Sequence, residues 1–120
     1  GRRLRLARIS MTYDGTVTTL TGSSGRQYMF NIHPRSTTFQ AKPGVYIMAR
    51  EKAGVPNTYE FCFVGETADL SKRPLSPDKQ PCFSKFGVTL IFLIEEFDAN
   101  KRASVVRDLV QAYVPSCNTL

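Results

Sequence analysis

The stretch from Phe61 to Pro74, "FCFVGETADLSKRP", gathers residue types that could handle a phosphate. A strand-like apolar run enters a turn at Gly65 and leaves it through a segment ending in Lys72 and Arg73. Glycine and guanidinium in that order let backbone and side chain approach phosphate oxygens together. The same order also makes an ordinary strand-to-helix turn. A second group of cations, Arg2, Arg3, Arg5, Arg8 and Arg26, points to the same ligand chemistry. The formal net charge is +6, and it is unevenly placed. Residues 1–35 carry six arginines against Asp14 alone, a balance of +5, whereas residues 36–120 carry ten basic and nine acidic side chains, a balance of +1. An arginine-only cluster suits phosphate because the planar guanidinium donates in pairs. The alternative is a solvated basic arm that aids solubility.

Other chemistry is sparse. The single histidine, His33, directly precedes Pro34 and reads as a turn residue, so the usual zinc-ligand spacings cannot be assembled around it. Cys62, Cys82 and Cys117 are odd in number and lack C-x-x-C spacing, which predicts no disulfide framework and a reducing, cytoplasmic compartment. No apolar run approaches the ~18 residues needed to span a bilayer, so no membrane partner is expected. Gly1 in place of an initiator Met fits a segment of a longer chain or a cloning remnant.

The elements that must position these residues follow from periodicity. At 120 residues and 42% hydrophobic content, one core and one compact unit are expected. "ARISMTY", "TVTTLT" and "RQYMFNI" read as a three-stranded antiparallel meander, with Asp14-Gly15 and "GSSG" as its turns. Tyr13, Tyr28 and Phe30 on such a sheet could stack bases, but core packing is the simpler role. Residues 33–44 read as a connector, and "VYIMAR" and "TYEFCFVG" as a hairpin. "TADLSKR" predicts a short helix capped by Thr67 and closed before Pro74, followed by a proline-rich stretch that is irregular with at most a helical turn. "VTLIFLIEEF" has the near-continuous apolarity of a strand buried on both faces. Beyond it, Asp98 is a helix N-cap, and Val106, Leu109, Val110 and Tyr113 recur at helical spacing until Pro115.

Four islands in this order resemble the GIY-YIG nuclease family over about residues 43–118. "PGVYIM" resembles the first signature, with Gly44, Val45 and Tyr46 on its three letters. "FVG" at Phe63 to Gly65 resembles the second, and Arg73 stands eight residues after Gly65, as in the family's G-x-[ST]-x-[DN]-L-x-x-R turn. "DLVQAYVPSCN" is similar to the closing helix and its terminal asparagine, here Asn118. The resemblance implies a metal-dependent DNA phosphodiesterase. Two tyrosines would prepare the attacking water, an arginine would neutralise phosphate, and a helical glutamate would hold Mg or Mn. Such a hard cation requires oxygen ligands.

Carried over residue by residue, the match is incomplete. Tyr46 and Arg73 are retained, Phe63 replaces the second tyrosine, and Val106 falls where the metal-binding glutamate belongs. The family's His or Tyr shortly after the arginine has no counterpart in "PLSPDK". Valine cannot ligate a hard cation; Glu66, beside the Gly65 turn, is the best substitute, since Asp108, two residues from Val106, should point elsewhere on the helix. The expected fold is therefore α+β: a small GIY-YIG-like antiparallel sheet flanked by helices (36–120), extended by a basic β-meander (1–35). The expected function is backbone binding of nucleic acid, DNA first, by a degenerate site without a cofactor, through Arg2, Arg3, Arg5, Arg8, Arg26, Lys72 and Arg73. The alternatives are an active Mg- or Mn-dependent endonuclease and a protein-interaction module.

Overall fold

The computed structural model describes residues 10–12 and 15–118. Arg2, Arg3, Arg5, Arg8, Tyr13 and Asp14 lie outside the described residues. Six strands, β1 (Ser10–Thr12), β2 (Gly15–Thr21), β3 (Gln27–Pro34), β4 (Gly44–Glu51), β5 (Tyr59–Thr67) and β6 (Leu90–Glu95), join two helices, α1 (Gln80–Phe86) and α2 (Ala99–Tyr113). All strand pairs are antiparallel, in the order β1-β2-β3-β6-β4-β5. The fold is α+β, and the N-terminal meander is continuous with the rest of the sheet through the β3–β6 pairing.

The near-continuous apolarity of β6 is explained by this order. It is the last strand in sequence but sits centrally between β3 and β4, so both its faces are covered. Alternation then sorts the core into two halves. Tyr46 and Met48 of β4 and Ile91 and Leu93 of β6 join Leu70, Leu75, Phe83 and Cys117 on one face, beneath α1 and the loop before it. Val45, Ile47, Ala49, Val64, Phe92, Phe30 and Ile32 face the other way, against Leu109, Val105, Val106 and Val110 of α2. We call these the loop face and the helix face.

One irregularity re-aims a side chain. Met48 pairs with Phe63 but Ala49 pairs with Phe61, so Cys62 is an extra residue in β5. The bulge turns Cys62 into the loop-face core, where its neighbour Phe63 also packs.

α2 starts as its sequence dictates: the Asp98 carboxylate accepts hydrogen bonds from the Asn100 and Lys101 amides. The helix ends with Val114 in a left-handed conformation before Pro115. The helix expected over residues 67–73 is absent. Thr67 Oγ1 instead accepts from the Asp69 amide, and Asp69 Oδ1 accepts from the Ser71 amide and hydroxyl. These side chains supply acceptors that a helix would have drawn from its backbone, and turns result. A helix forms later, in the stretch expected to be irregular, because Pro81 stands in the first turn of α1, where a missing N–H costs nothing. His33 is likewise not a turn residue: it lies within β3, paired with Ile91, its ring 5.2 Å from that of Phe39. No helix among the described residues is long and apolar enough to cross a membrane.

Candidate nucleic-acid interface

Arg73 is carried by the turn-rich segment between β5 and α1. It is exposed, and its Nη1 donates to the Thr37 carbonyl at 2.5 Å, which ties this segment to the β3–β4 connector. A second tie lies close by, where the Leu70 amide donates to the Lys42 carbonyl. Together these segments wall a cleft of about 60 Å³ lined by Arg35, Phe39, Met48, Arg73, Leu75 and Gln80, among others. Arg35 is fixed in that wall by hydrogen bonds from Nη1 to the Val88 carbonyl and from Nη2 to Gln80 Oε1, both 3.1 Å. An organic ligand usually needs several hundred Å³, whereas this space holds roughly two water volumes. Five of its eight lining residues, Phe39, Met48, Pro74, Leu75 and Ile91, are apolar, and Arg35 and Arg73 supply the charge at its wall.

Tyr46 lies in the same half of the molecule but is not open to solvent. It is 3% exposed, and its hydroxyl is hydrogen-bonded to Ser76 Oγ. Burial pushes the Tyr46 phenol upward, against the smaller opposing effect of the Ser76 bond. A phenol held protonated is poorly suited to take a proton from water. The ring lies across β5 over Gly65, where an added Cβ would come within 2.7 Å of the Tyr46 hydroxyl oxygen. Gly65 is thus needed for close approach of side chain to backbone. Phe63 packs 6.3 Å from the Tyr46 ring and 5.5 Å from Phe83, as an apolar core residue.

The remaining family positions lie elsewhere. Val106 packs into the helix-face core, across the sheet from Tyr46. Glu66 accepts a 2.7 Å hydrogen bond from Arg102 Nε of α2, whose side chain is 8% exposed. Arg102 also donates from Nη1 to the Glu96 and Phe97 carbonyls, so it ties α2, β5 and the β6–α2 turn together. Glu66 is the counter-charge of a buried arginine. This donor set does not fit a Mg or Mn ion: Tyr46 and Phe63 are packed in one core, Val106 is in the other, and Glu66 is bound to Arg102. Asn118 does have a defined position, its amide donating to the Val64 carbonyl at 2.9 Å and accepting from the Val64 amide at 2.8 Å. It supplies the hydrogen bonds a neighbouring strand would give to edge strand β5, a structural role.

The basic residues are also divided. Lys72 is exposed beside Arg73. Arg26 lies on another surface, in a cleft of about 320 Å³ with Ser24, Tyr28, Arg107, Asp108 and Gln111. There Asp108 accepts from the Ser24 amide, the Ser24 hydroxyl and the Tyr28 hydroxyl at 2.7–2.8 Å. These bonds, the Tyr28 one foremost, hold the Asp108 carboxyl below its ordinary range. This anion offsets the Arg26 and Arg107 cations around it, as Asp69 offsets Lys72 beside Arg73.

The sequence also led away from a feature the fold creates. Cys82 and Cys117 form a disulfide, against the expectation that none would occur, and the buried Cys62 sulfur lies 3.1 Å from that of Cys117. Long-range convergence leaves no local spacing to detect. Arg35 and Arg102 were missed as well, but Arg102 had a signal: it stands four residues before Val106 and seven before Leu109, on the apolar stripe of α2. Compared with protein-family models, curated proteins and solved structures, the chain matches none.

Proposed function

We propose that the chain binds the phosphate backbone of nucleic acid, DNA in the first instance, through the loop face, and that it does not cleave it. The observation that carries this reading is the exposed Arg73 guanidinium, steadied by the Thr37 carbonyl at the mouth of a small cleft that also contains Arg35. Lys72 extends the positive surface, and the net charge of +6 favours a polyanionic partner. Backbone contacts of this kind position a duplex without reading its sequence. The absence of cleavage follows from the donor set. Phosphodiester hydrolysis requires a hard cation or an equivalent charge clamp, and a base for the water. Tyr46 is a buried, protonated phenol, while the nearest substitute acid serves Arg102.

Two assays test the proposal. Gel retardation of a short duplex should show affinity that falls as salt rises, reflecting counterion release. Supercoiled plasmid with Mg²⁺ or Mn²⁺ should remain intact. Nicking abolished by Arg73→Ala would favour the endonuclease reading, and salt-independent or absent retardation would favour a protein partner.

A further inference from the structure

Three sulfur atoms converge under the sheet edge. Cys62 from the β5 bulge, Cys82 from α1 and Cys117 from the 3-10 turn Ser116–Asn118 have sulfurs all within 4.8 Å of one another. Cys62 and Cys117 are fully buried, and Cys82 is partly exposed. We infer that in the reduced chain these three cysteines form a binding site for a thiophilic d¹⁰ cation of the zinc group.

The geometry carries the assignment. A metal–sulfur bond of about 2.3 Å in tetrahedral angles sets sulfur atoms about 3.8 Å apart. The present cluster already falls within that scale, so opening the disulfide requires shifts of only about an ångström or two to reach it. Cys62 is the bulge residue of β5 and Cys117 precedes Asn118, which is hydrogen-bonded to Val64, so the shift falls mainly to the partly exposed Cys82 on its seven-residue helix. Thiolate ligands select soft cations over the oxygen-seeking Mg and Mn that this chain is poorly equipped to hold. Three thiolates and one divalent cation leave a net charge of −1.

The chemistry balances in two steps. A dithiol reductant supplies two electrons and two protons to the Cys82–Cys117 disulfide, giving two thiols and the oxidised reductant. The three thiols then release three protons to solvent as three metal–sulfur bonds form, with no change of metal oxidation state. The oxidised chain, with two sulfurs bonded to each other, lacks the ligand set.

The test is titration of the dithiol-reduced, desalted chain with Cd²⁺ under argon, following ultraviolet thiolate-to-cadmium charge transfer. One equivalent should saturate the reduced chain and raise its melting temperature, while the oxidised chain shows no charge-transfer band. Cys62→Ser should weaken binding by more than about 100-fold, beyond the 10–100-fold typical of changes outside the ligand shell. If reduction unfolds the chain, circular dichroism replaces the melting readout, and one equivalent of Cd²⁺ should restore the folded spectrum. No band in the reduced chain would overturn the inference, as would binding in Cys62→Ser equal to that of the parent.

Discussion

The two faces of the sheet are covered in different ways. On the helix face, one fifteen-residue helix with a satisfied N-cap lays a regular stripe on the strands and carries a buried arginine. The loop face is covered by turns, two proline-rich segments and a seven-residue helix, stitched by single side chains such as Arg35, Arg73 and Ser76. Regular structure satisfies its own backbone and leaves few groups facing outward. An irregular cover must be held by side chain-to-backbone bonds, and the same guanidinium groups are then available to a ligand at its rim. The helix face is therefore the regular half of the molecule, and the loop face is the half to which we assign the proposed recognition.

The largest effect expected from this contrast is at Arg102. Arg102→Ala would strand the Glu66 carboxylate and leave the Glu96 and Phe97 carbonyls short of a donor. Removing one partner of a fully buried pair costs 3–5 kcal/mol; because Glu66 is 40% exposed, about 2–3 kcal/mol is the better expectation. Urea unfolding should show this as a lower midpoint at unchanged slope. Glu66→Gln keeps an acceptor for Arg102 and should cost less. Were Glu66→Gln the worse of the two, Glu66 would have a role beyond pairing with Arg102.

Asp98→Ala should come next, at about 1 kcal/mol, since it removes the side chain that accepts from two amides at the start of α2. Thermal melting of the variant checks it. The loop face has no equivalent test, because α1 lacks a side-chain cap.

Titration probes one group on each face. Asp108 has a depressed carboxyl in the native state, held mainly by the Tyr28 hydroxyl. Its contribution is therefore present above the unfolded value of about 3.9 and is lost as pH falls through the lower folded value. Asp108→Asn should flatten the acid limb of a stability profile below about pH 4. Tyr46 shifts in the other direction, raised by burial. Its contribution is intact below the unfolded value of about 10 and is lost as pH rises toward the higher folded value. Tyr46→Phe should soften the alkaline limb, though only in part, because Tyr28, Tyr59 and Tyr113 are raised as well. An acid limb unchanged by Asp108→Asn would show that the meander does not dock on α2 through this carboxylate.

The helix face was far more legible in the sequence than the loop face. Asp98, the spacing of Val106, Leu109 and Val110, and Pro115 together define α2 because each acts through local backbone physics. The β4–β5 hairpin and the centrally buried β6 were legible for the same reason, from alternation and continuous apolarity. The segment from Thr67 to Phe86 was not. There Thr67 and Asp69 competed with the helix for backbone donors, and Pro81, which suggested a break, instead opened α1. The sulfur cluster was out of reach entirely, since residues 62, 82 and 117 meet only after the sheet, a bulge and the C-terminal turn are in place. Arg73 was singled out through the family resemblance, by its distance from Gly65. That spacing could not show that Val106 and Tyr46 would be separated by the sheet.

The division between faces is tested most directly by the salt dependence of DNA affinity for Arg73→Ala beside Arg107→Ala. Both remove one exposed arginine and the same formal charge, but one lies on the loop face and the other in the helix-face cleft with Asp108. Arg107→Ala should melt within a degree or two of the parent, as surface changes typically alter stability by no more than about 0.5 kcal/mol. Arg73→Ala also loses its bond to the Thr37 carbonyl and should melt lower, at a cost of about 1 kcal/mol, while staying folded. On duplex DNA, Arg73→Ala should shallow the slope of log K against log salt by about 0.9, the loss of one phosphate contact, and Arg107→Ala should leave it unchanged. Equal slopes for Arg73→Ala and the parent, or a larger change for Arg107→Ala, would contradict recognition through the loop face.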